Sequence, residues 1–142
     1  MGLDTSHDCW HGAYSSFMRW REEIAQAAGF PPLYFMENFW EGPPGNVGSM
    51  GYRIESAINQ LPIRWRLFSD DPLCILLNHS DCDGIIEAKD CTPLADRLRE
   101  ILPHLLPGGP FYVGVGDARD KTRQFINGLD LAASRGENVE FH

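Results

Sequence analysis

Three of the five histidines lie in two short polar segments that also contain aspartates and cysteines. His7 and His11 belong to the first segment, and His79 belongs to the second. Imidazole, carboxylate and thiol groups are ligands of zinc and related metals, and they also act as general acids and bases near neutral pH. Because such groups work together only when they converge, we expect residues 7–11 to contact residues 79–83.

The second segment, Asn78 to Gly84, is the strongest candidate site, and it has three interpretations. A calcium loop that begins at His79 would place Asp81 and Asp83 at ligand positions, although His is a poor calcium ligand and Asp90 stands where a bidentate Glu is usual. A transition metal bound by His79, Asp81 and Asp83 is the second interpretation. In the third, the aspartates form Asx-turns and bind no ion.

The spacing of His7 and His11 matches that of the two histidines in the zinc helix of metalloproteases. The Glu of that motif is absent, because Asp8 follows His7, and Gly12 disfavours a helix at this point. The motif is therefore weak, and a capping or core role for either histidine is the simpler prediction.

Nucleophilic catalysis has candidate residues but no complete motif. Cys9 and Cys82 lie close to histidines in the chain, and Ser80 follows His79 directly. Adjacent side chains on an extended loop point apart, and the chain has no Gly-x-Ser-x-Gly turn to expose a serine. The sequence therefore offers candidates for nucleophilic catalysis but no signature of it, which favours a binding protein over an enzyme.

Length and charge limit the class of protein. A chain of 142 residues predicts one domain, spanning residues 1–142. Twelve Lys and Arg against twenty Asp and Glu give a net charge of −8, which disfavours binding to duplex nucleic acid. The amino terminus has no basic, apolar signal segment, and no stretch is long and apolar enough to span a membrane. These features predict a cytoplasmic protein without a membrane partner.

Periodicity predicts an α+β fold, with a small sheet packed against about three to four helices. The first helix carries Phe17, Trp20 and Ile24 on its apolar face, and we expect Arg21 on its polar face. Thr92 is predicted to cap the third helix. An aromatic loop rich in Gly and Pro is expected at about residues 33–51. The predicted helices are 14–28, 54–61, 92–102 and 117–135; the predicted strands are 63–68 and 73–77, which form a hairpin, 111–116 and 139–142.

Several short segments of the chain resemble a group of short uncharacterised proteins of bacteria and bacteriophages. The resemblance lies in Met1-Gly2-Leu3-Asp4-Thr5 with His7, in Cys9-Trp10-His11-Gly12, in Leu77 to Gly84, in Phe125-Ile126-x-Gly128-Leu129 and in the ending Phe141-His142. It implies no specific activity. A phage setting implies an accessory role, for example binding a small signalling molecule of the host.

These observations predict a non-enzymatic protein that holds or sequesters a small polar, nucleotide-like ligand. Trp10 and Trp40 lie in predicted loops and are expected to be free to face that ligand. The alternative is a hydrolase in which His79, Asp81 and Asp83 bind a divalent metal that activates water. The sequence leaves homo-oligomerisation open. The predicted ligand-binding residues are His7, Trp10, His11, Tyr14, Asn78, His79, Ser80 and Asp81.

Overall fold

The computed structural model describes residues 2–37, 63–105 and 118–142, and these ranges form an α+β fold. The α-helices of the described ranges are α1 (Tyr14–Ala27), α2 (Leu73–Leu77), α3 (Ala88–Ile101) and α4 (Ala118–Arg135). Their strands are β1 (Gly2–Asp4), β2 (His11–Ala13), β3 (Ile85–Ile86) and β4 (Val139–Glu140). Short 3-10 helices span Ser6–Asp8, Leu33–Phe35, Trp65–Phe68 and Leu102–His104. The predicted fold class is confirmed.

The end of the chain joins two antiparallel strand pairs. β1 pairs with β2, and β3 pairs with β4. Asp4 and His142 exchange backbone hydrogen bonds of 3.0 and 2.9 Å, and Thr5 forms an antiparallel bridge with Phe141. The last four residues therefore lie between the amino-terminal segment and β3.

The core is built from the apolar faces of the three long helices and an aromatic cluster. α3 contributes Leu94, Leu98 and Ile101, and α4 contributes Phe125 and Leu129, all buried. This spacing of three and four residues is the helical period that the sequence shows. The buried aromatic cluster consists of Trp10, Phe17, Trp20 and Phe125, with neighbouring ring centroids 4.9 to 5.8 Å apart.

The predicted hairpin of residues 63–68 and 73–77 is wrong. Trp65–Phe68 forms a 3-10 helix and Leu73–Leu77 forms α2. A short apolar run fits a buried strand and a buried helix equally well, so its period cannot decide between them. Here the carboxylate of Asp71 accepts a hydrogen bond from the Leu73 backbone N–H at 3.0 Å, and Arg97 holds the same carboxylate at 3.0 Å. A fixed carboxylate at the start of the run favours a helix.

Helix α3 also begins earlier than predicted. α3 starts at Ala88, so Thr92 lies inside the helix and does not cap it. The Ala88 backbone N–H instead donates to the side-chain oxygen of Asn138 at 2.9 Å. A capping group 50 residues away in the chain leaves no local pattern in the sequence.

The helix predicted at 14–28, the described part (118–135) of the helix predicted at 117–135, and the extended carboxy-terminal end are confirmed. The helix predicted at 54–61, the strand predicted at 111–116 and residues 38–51 of the aromatic loop lie outside the described residues. In the described ranges, no helix is long and apolar enough to cross a membrane.

Candidate functional site

A buried arginine positions the loop that follows α2. Arg21 is 1% exposed, and its guanidinium donates to the His79 backbone oxygen at 2.6 Å and more weakly to those of Leu76 and Leu77 at 3.4 and 3.5 Å. It also lies 4.5 Å from the ring of Phe17. Burial lowers the pKa of Arg21 to about 10. The guanidinium thus caps the carboxyl end of α2, where cations are favoured.

The ring of His79 is directed at the protein main chain. Its Nδ1 lies 2.7 Å from the Ser80 carbonyl oxygen, its Nε2 lies 2.9 Å from the Ile85 carbonyl oxygen, and the ring stacks 4.0 Å from Phe141. Carbonyl oxygens only accept hydrogen bonds, so the imidazole donates to both only when it is protonated. A metal ion needs an imidazole lone pair that faces it, and both ring nitrogens of His79 face carbonyl oxygens.

In the Asn78 to Gly84 loop, a serine makes the turn hydrogen bonds that the sequence assigned to Asp81 and Asp83. The Ser80 hydroxyl oxygen accepts the backbone N–H groups of Cys82 and Asp83 at 3.2 and 3.3 Å, which is the pattern of a serine turn. The loop connects a helix to a strand, where a strand-to-helix turn was expected. Within residues 2–37, 63–105 and 118–142, no three His, Cys, Asp or Glu side chains converge to form a metal site.

The amino-terminal segment contains a strained turn. His7 and Asp8 both have a φ of 59°, a region that side chains other than glycine rarely adopt. The turn is held against α4, because the Gln124 side-chain amide donates to the Asp8 carbonyl at 3.0 Å and Gly128 lets Cys9 approach the helix backbone. Such strain persists only where the surroundings impose it, and it is frequent at functional sites.

His7 is mostly enclosed between a hydroxyl and a carboxylate. Its Nδ1 lies 2.8 Å from Ser6 Oγ, and its Nε2 lies 3.0 Å from Glu137 Oε1. The side chain is 10% exposed. A neutral imidazole satisfies both partners, since it can accept from the serine at Nδ1 and donate to the glutamate at Nε2.

His11 is clamped between two carboxylates at the surface. It is the cross-strand partner of Asp4, with Nδ1 2.8 Å from Asp4 Oδ1, and its Nε2 is hydrogen-bonded to Asp8. The hydrogen bond to Asp4 and then that to Asp8 raise the pKa of His11 above its usual value.

This clamp predicts a pH dependence. The pKa of His11 is higher in the folded protein than in the unfolded chain. The clamp therefore stabilises the folded protein fully at pH values below the unfolded-state pKa of His11. This stabilisation is lost as the pH rises through the folded-state pKa. The side chain is half exposed, so we expect less than about 1 kcal/mol. In an NMR titration, the His11 midpoint should lie above about 6.5 and fall in Asp4→Asn. An unchanged midpoint in Asp4→Asn would contradict the clamp.

A groove of about 440 Å³ lies between the strained turn and the polar face of α4. Asp120 and Arg123 in its wall form an ion pair of 3.0 Å. Asn127 is exposed beside them, with no hydrogen-bond partner among the described residues. The lining residues are His7, Asp8, Asp120, Arg123, Gln124, Asn127, Gly128 and Leu131. The groove is the place where strain, charge and concavity coincide.

Two aromatic residues predicted to bind a ligand lie in or against the core. Trp10 is 1% exposed, so the expectation that it is free to face a ligand is wrong in this conformation. The Lys121 ammonium lies 5.0 Å from its ring centroid. Tyr14 begins α1 and packs partly buried against the core. Trp40 lies outside the described residues.

No hydrogen bond or ion pair joins residues 7–11 to residues 79–83, both fully described, so the predicted convergence of their polar side chains is not found. The carboxy-terminal strand separates them. The Glu140 backbone N–H donates to Ser6 Oγ at 2.8 Å on one side, and the Phe141 backbone N–H donates to the Gly84 carbonyl at 2.9 Å on the other. Asn78 and Ser80 are exposed, and Asp81 is half-buried on the far side of this strand from the groove.

Arg21, Glu137 and the α4 residues that line the groove were not predicted as site residues. Arg21 was expected on the polar face of α1, yet it lies four residues after Phe17 and four before Ala25, both buried. That spacing places Arg21 on the apolar face of α1, so the sequence contained a signal for its burial. Glu137 meets His7 across 130 residues, and no local pattern announces such a contact.

The thiols of three cysteines are shielded from reaction. Burial raises the pKa of Cys9 to about 12 and that of Cys74 to about 11, and it also raises the pKa of Cys91. None of these three is a thiolate at neutral pH. All four cysteines are free, and Cys82 is exposed.

Comparisons of this chain with protein-family models, with curated proteins and with solved structures found no match.

Proposed function

We propose that this protein binds a small polar molecule, neutral or positively charged, in the groove between the strained turn and α4. The observation that carries this proposal is the groove itself, about 440 Å³ in volume and lined by hydrogen-bonding groups. Ligand pockets typically enclose about 300 to 1,000 Å³. The groove thus suits a molecule of the size of a nucleoside or a short polyamine.

The charges of the lining support the choice of ligand. Asp8 and Asp120 contribute two negative charges and Arg123 one positive charge, and Arg123 is already paired with Asp120. A phosphate would meet a net negative wall in a protein whose overall charge is −8. We therefore restrict the nucleotide-like ligand expected from the sequence to molecules that are uncharged or cationic, which excludes phosphorylated ones.

The rigidity of the wall also supports binding. Gln124 fixes the Asp8 carbonyl, and Glu137 fixes the ring of His7. A wall held in place before the ligand arrives loses little conformational entropy on binding. Asn127 offers an amide with free donors and acceptors that can set the orientation of the ligand.

We place this function in the cytoplasm, without a nucleic-acid or membrane partner. The four cysteines are free, which suits a reducing compartment. A metal-dependent hydrolase at His79, Asp81 and Asp83 is not proposed, because both ring nitrogens of His79 are directed at carbonyl oxygens.

Thermal unfolding with matched probes tests the proposal. We would compare nucleosides with their 5′-monophosphates and short diamines with their acetylated forms. The nucleoside or the diamine should raise the unfolding temperature, with a stabilisation of about 2.7 kcal/mol at a concentration of 100 Kd. The phosphorylated and acetylated partners should have a weaker effect.

Two asparagines provide matched variants for this test. Asn127→Ala should weaken binding of the effective probe by about tenfold, the effect of one lost hydrogen bond. Asn78→Ala changes an equally exposed asparagine in the loop that follows α2, and it should leave binding unchanged. Loss of binding in Asn78→Ala alone would move the site to that loop and refute the groove.

A further inference from the structure

Ser6, His7 and Glu137 form a hydrogen-bonded series, and the proposed binding function makes no use of its serine hydroxyl. Ser6 Oγ lies 2.8 Å from His7 Nδ1, and His7 Nε2 lies 3.0 Å from Glu137 Oε1. The Glu140 backbone N–H donates to the same serine oxygen at 2.8 Å. Because Ser6 Oγ accepts this hydrogen bond through a lone pair, its hydroxyl proton is free to point at His7. The hydroxyl can then donate to the imidazole, and the imidazole can donate to the carboxylate of Glu137.

We propose that Ser6 is the nucleophile of an acyl-transfer site that cleaves small uncharged or cationic esters. A nucleophile held by a base, with that base held by a third group, is the arrangement that activates a serine. His7 would act as the general base and Glu137 would orient and stabilise the imidazolium. The ring presents Nδ1 to the serine, and either imidazole nitrogen can accept a proton.

The reaction balances with water as the only co-substrate. Ser6 Oγ forms a bond to the ester carbonyl carbon while its proton passes to His7 Nδ1. The tetrahedral intermediate then breaks its bond to the leaving alkoxide, which takes that proton, and an acyl-serine remains. Water attacks the acyl carbon, gives its proton to His7 and releases the acid, and the proton returns to Ser6.

The position of each group is fixed by the backbone. The φ of 59° at His7 turns the chain so that neighbouring residues 6 and 7 bring their side chains together, where an extended loop would point them apart. Glu137 follows the left-handed Gly136, and its backbone N–H donates to the Ala132 carbonyl at 2.9 Å. This helix end sets the carboxylate against His7.

The surroundings suit a reactive hydroxyl. The imidazole is 10% exposed and therefore shielded from water, while Ser6 is half-buried and His7 also lines the groove. By contrast, Ser80 uses its oxygen to accept two backbone N–H groups and has no imidazole at its hydroxyl. Ser80 is therefore a matched control.

Covalent labelling of the full chain with a fluorophosphonate tests this proposal. Ser6 Oγ should displace fluoride from phosphorus and form a single adduct, located by peptide mass spectrometry. Ser6→Ala should abolish the adduct, and His7→Gln should slow labelling by about 100-fold, the lower range for a general base. Glu137→Gln, at a half-exposed position, should slow it by about tenfold, and Ser80→Ala should label at the wild-type rate.

The outcomes separate this proposal from that of the groove. Absence of an adduct on Ser6 in the folded wild-type protein overturns it, as does a wild-type rate in both His7→Gln and Glu137→Gln. A protein that labels at Ser6 but binds no groove probe would refute the ligand proposal alone, and the converse result would refute this one alone.

Discussion

Replacement of Arg21 by alanine should lower the free energy of unfolding by about 3 to 5 kcal/mol. The buried guanidinium serves the carbonyl oxygens of Leu76, Leu77 and His79, and it packs on the ring of Phe17. Its removal leaves those oxygens without their charged donor and opens a cavity among core side chains. The cost combines unsatisfied polar groups with lost packing.

Urea unfolding of wild type and Arg21→Ala measures this cost directly. Gln26→Ala is the control on the same helix, because Gln26 is exposed and its replacement should cost no more than about 0.5 kcal/mol. Arg21→Met keeps the volume but not the donors, and it should fall between the two. A loss below about 1 kcal/mol in Arg21→Ala would show that the cap on α2 is not important for stability.

Replacement of Gly128 by alanine should destabilise the protein by at least about 2 kcal/mol. A Cβ at this position would lie 2.8 Å from the His7 carbonyl oxygen and 3.0 Å from the Cys9 Cα, and closer still to the Cys9 sulfur. Backbone atoms cannot rotate away, so the turn must move off α4. This destabilisation is opposite in sign to the effect of helix propensity, which favours Ala over Gly by about 1 kcal/mol.

The sign of the effect makes Gly128→Ala informative. Asn127→Ala, at the neighbouring exposed position of the same helix, should be neutral or slightly stabilising. The double variant Cys9→Ala with Gly128→Ala should recover part of the loss, because it removes the nearest atom but not the two backbone atoms. A Gly128→Ala protein more stable than wild type would contradict the close packing of the turn on α4.

The long helices were predictable from sequence, and the short elements were not. α1 and α4 carry buried residues at helical spacing over many turns, so their pattern is unambiguous. α2 has five residues, too few for a period to appear. Its helical conformation is favoured by Asp71, which Arg97 holds by hydrogen bonds although the two residues are 26 positions apart in the sequence.

The candidate site was only partly predictable for the same reason. The polar segment around His7 and His11 stands out in the sequence, because its residue types are local information. Its partners were not identified, since Glu137 reaches His7 from the other end of the chain and Gly128 matters only through its contact with Cys9. No polar interaction joins residues 7–11 to residues 79–83, because the carboxy-terminal strand lies between them.

Backbone NMR of the labelled protein tests the central claim, that the groove binds the ligand. On addition of whichever nucleoside or diamine stabilises the protein most, amide shifts should change at Asp8 and along residues 120–131. Changes confined to residues 78–84, or to the cavity of about 390 Å³ beside Phe30, would contradict the account, as would a panel in which no probe changes any amide shift.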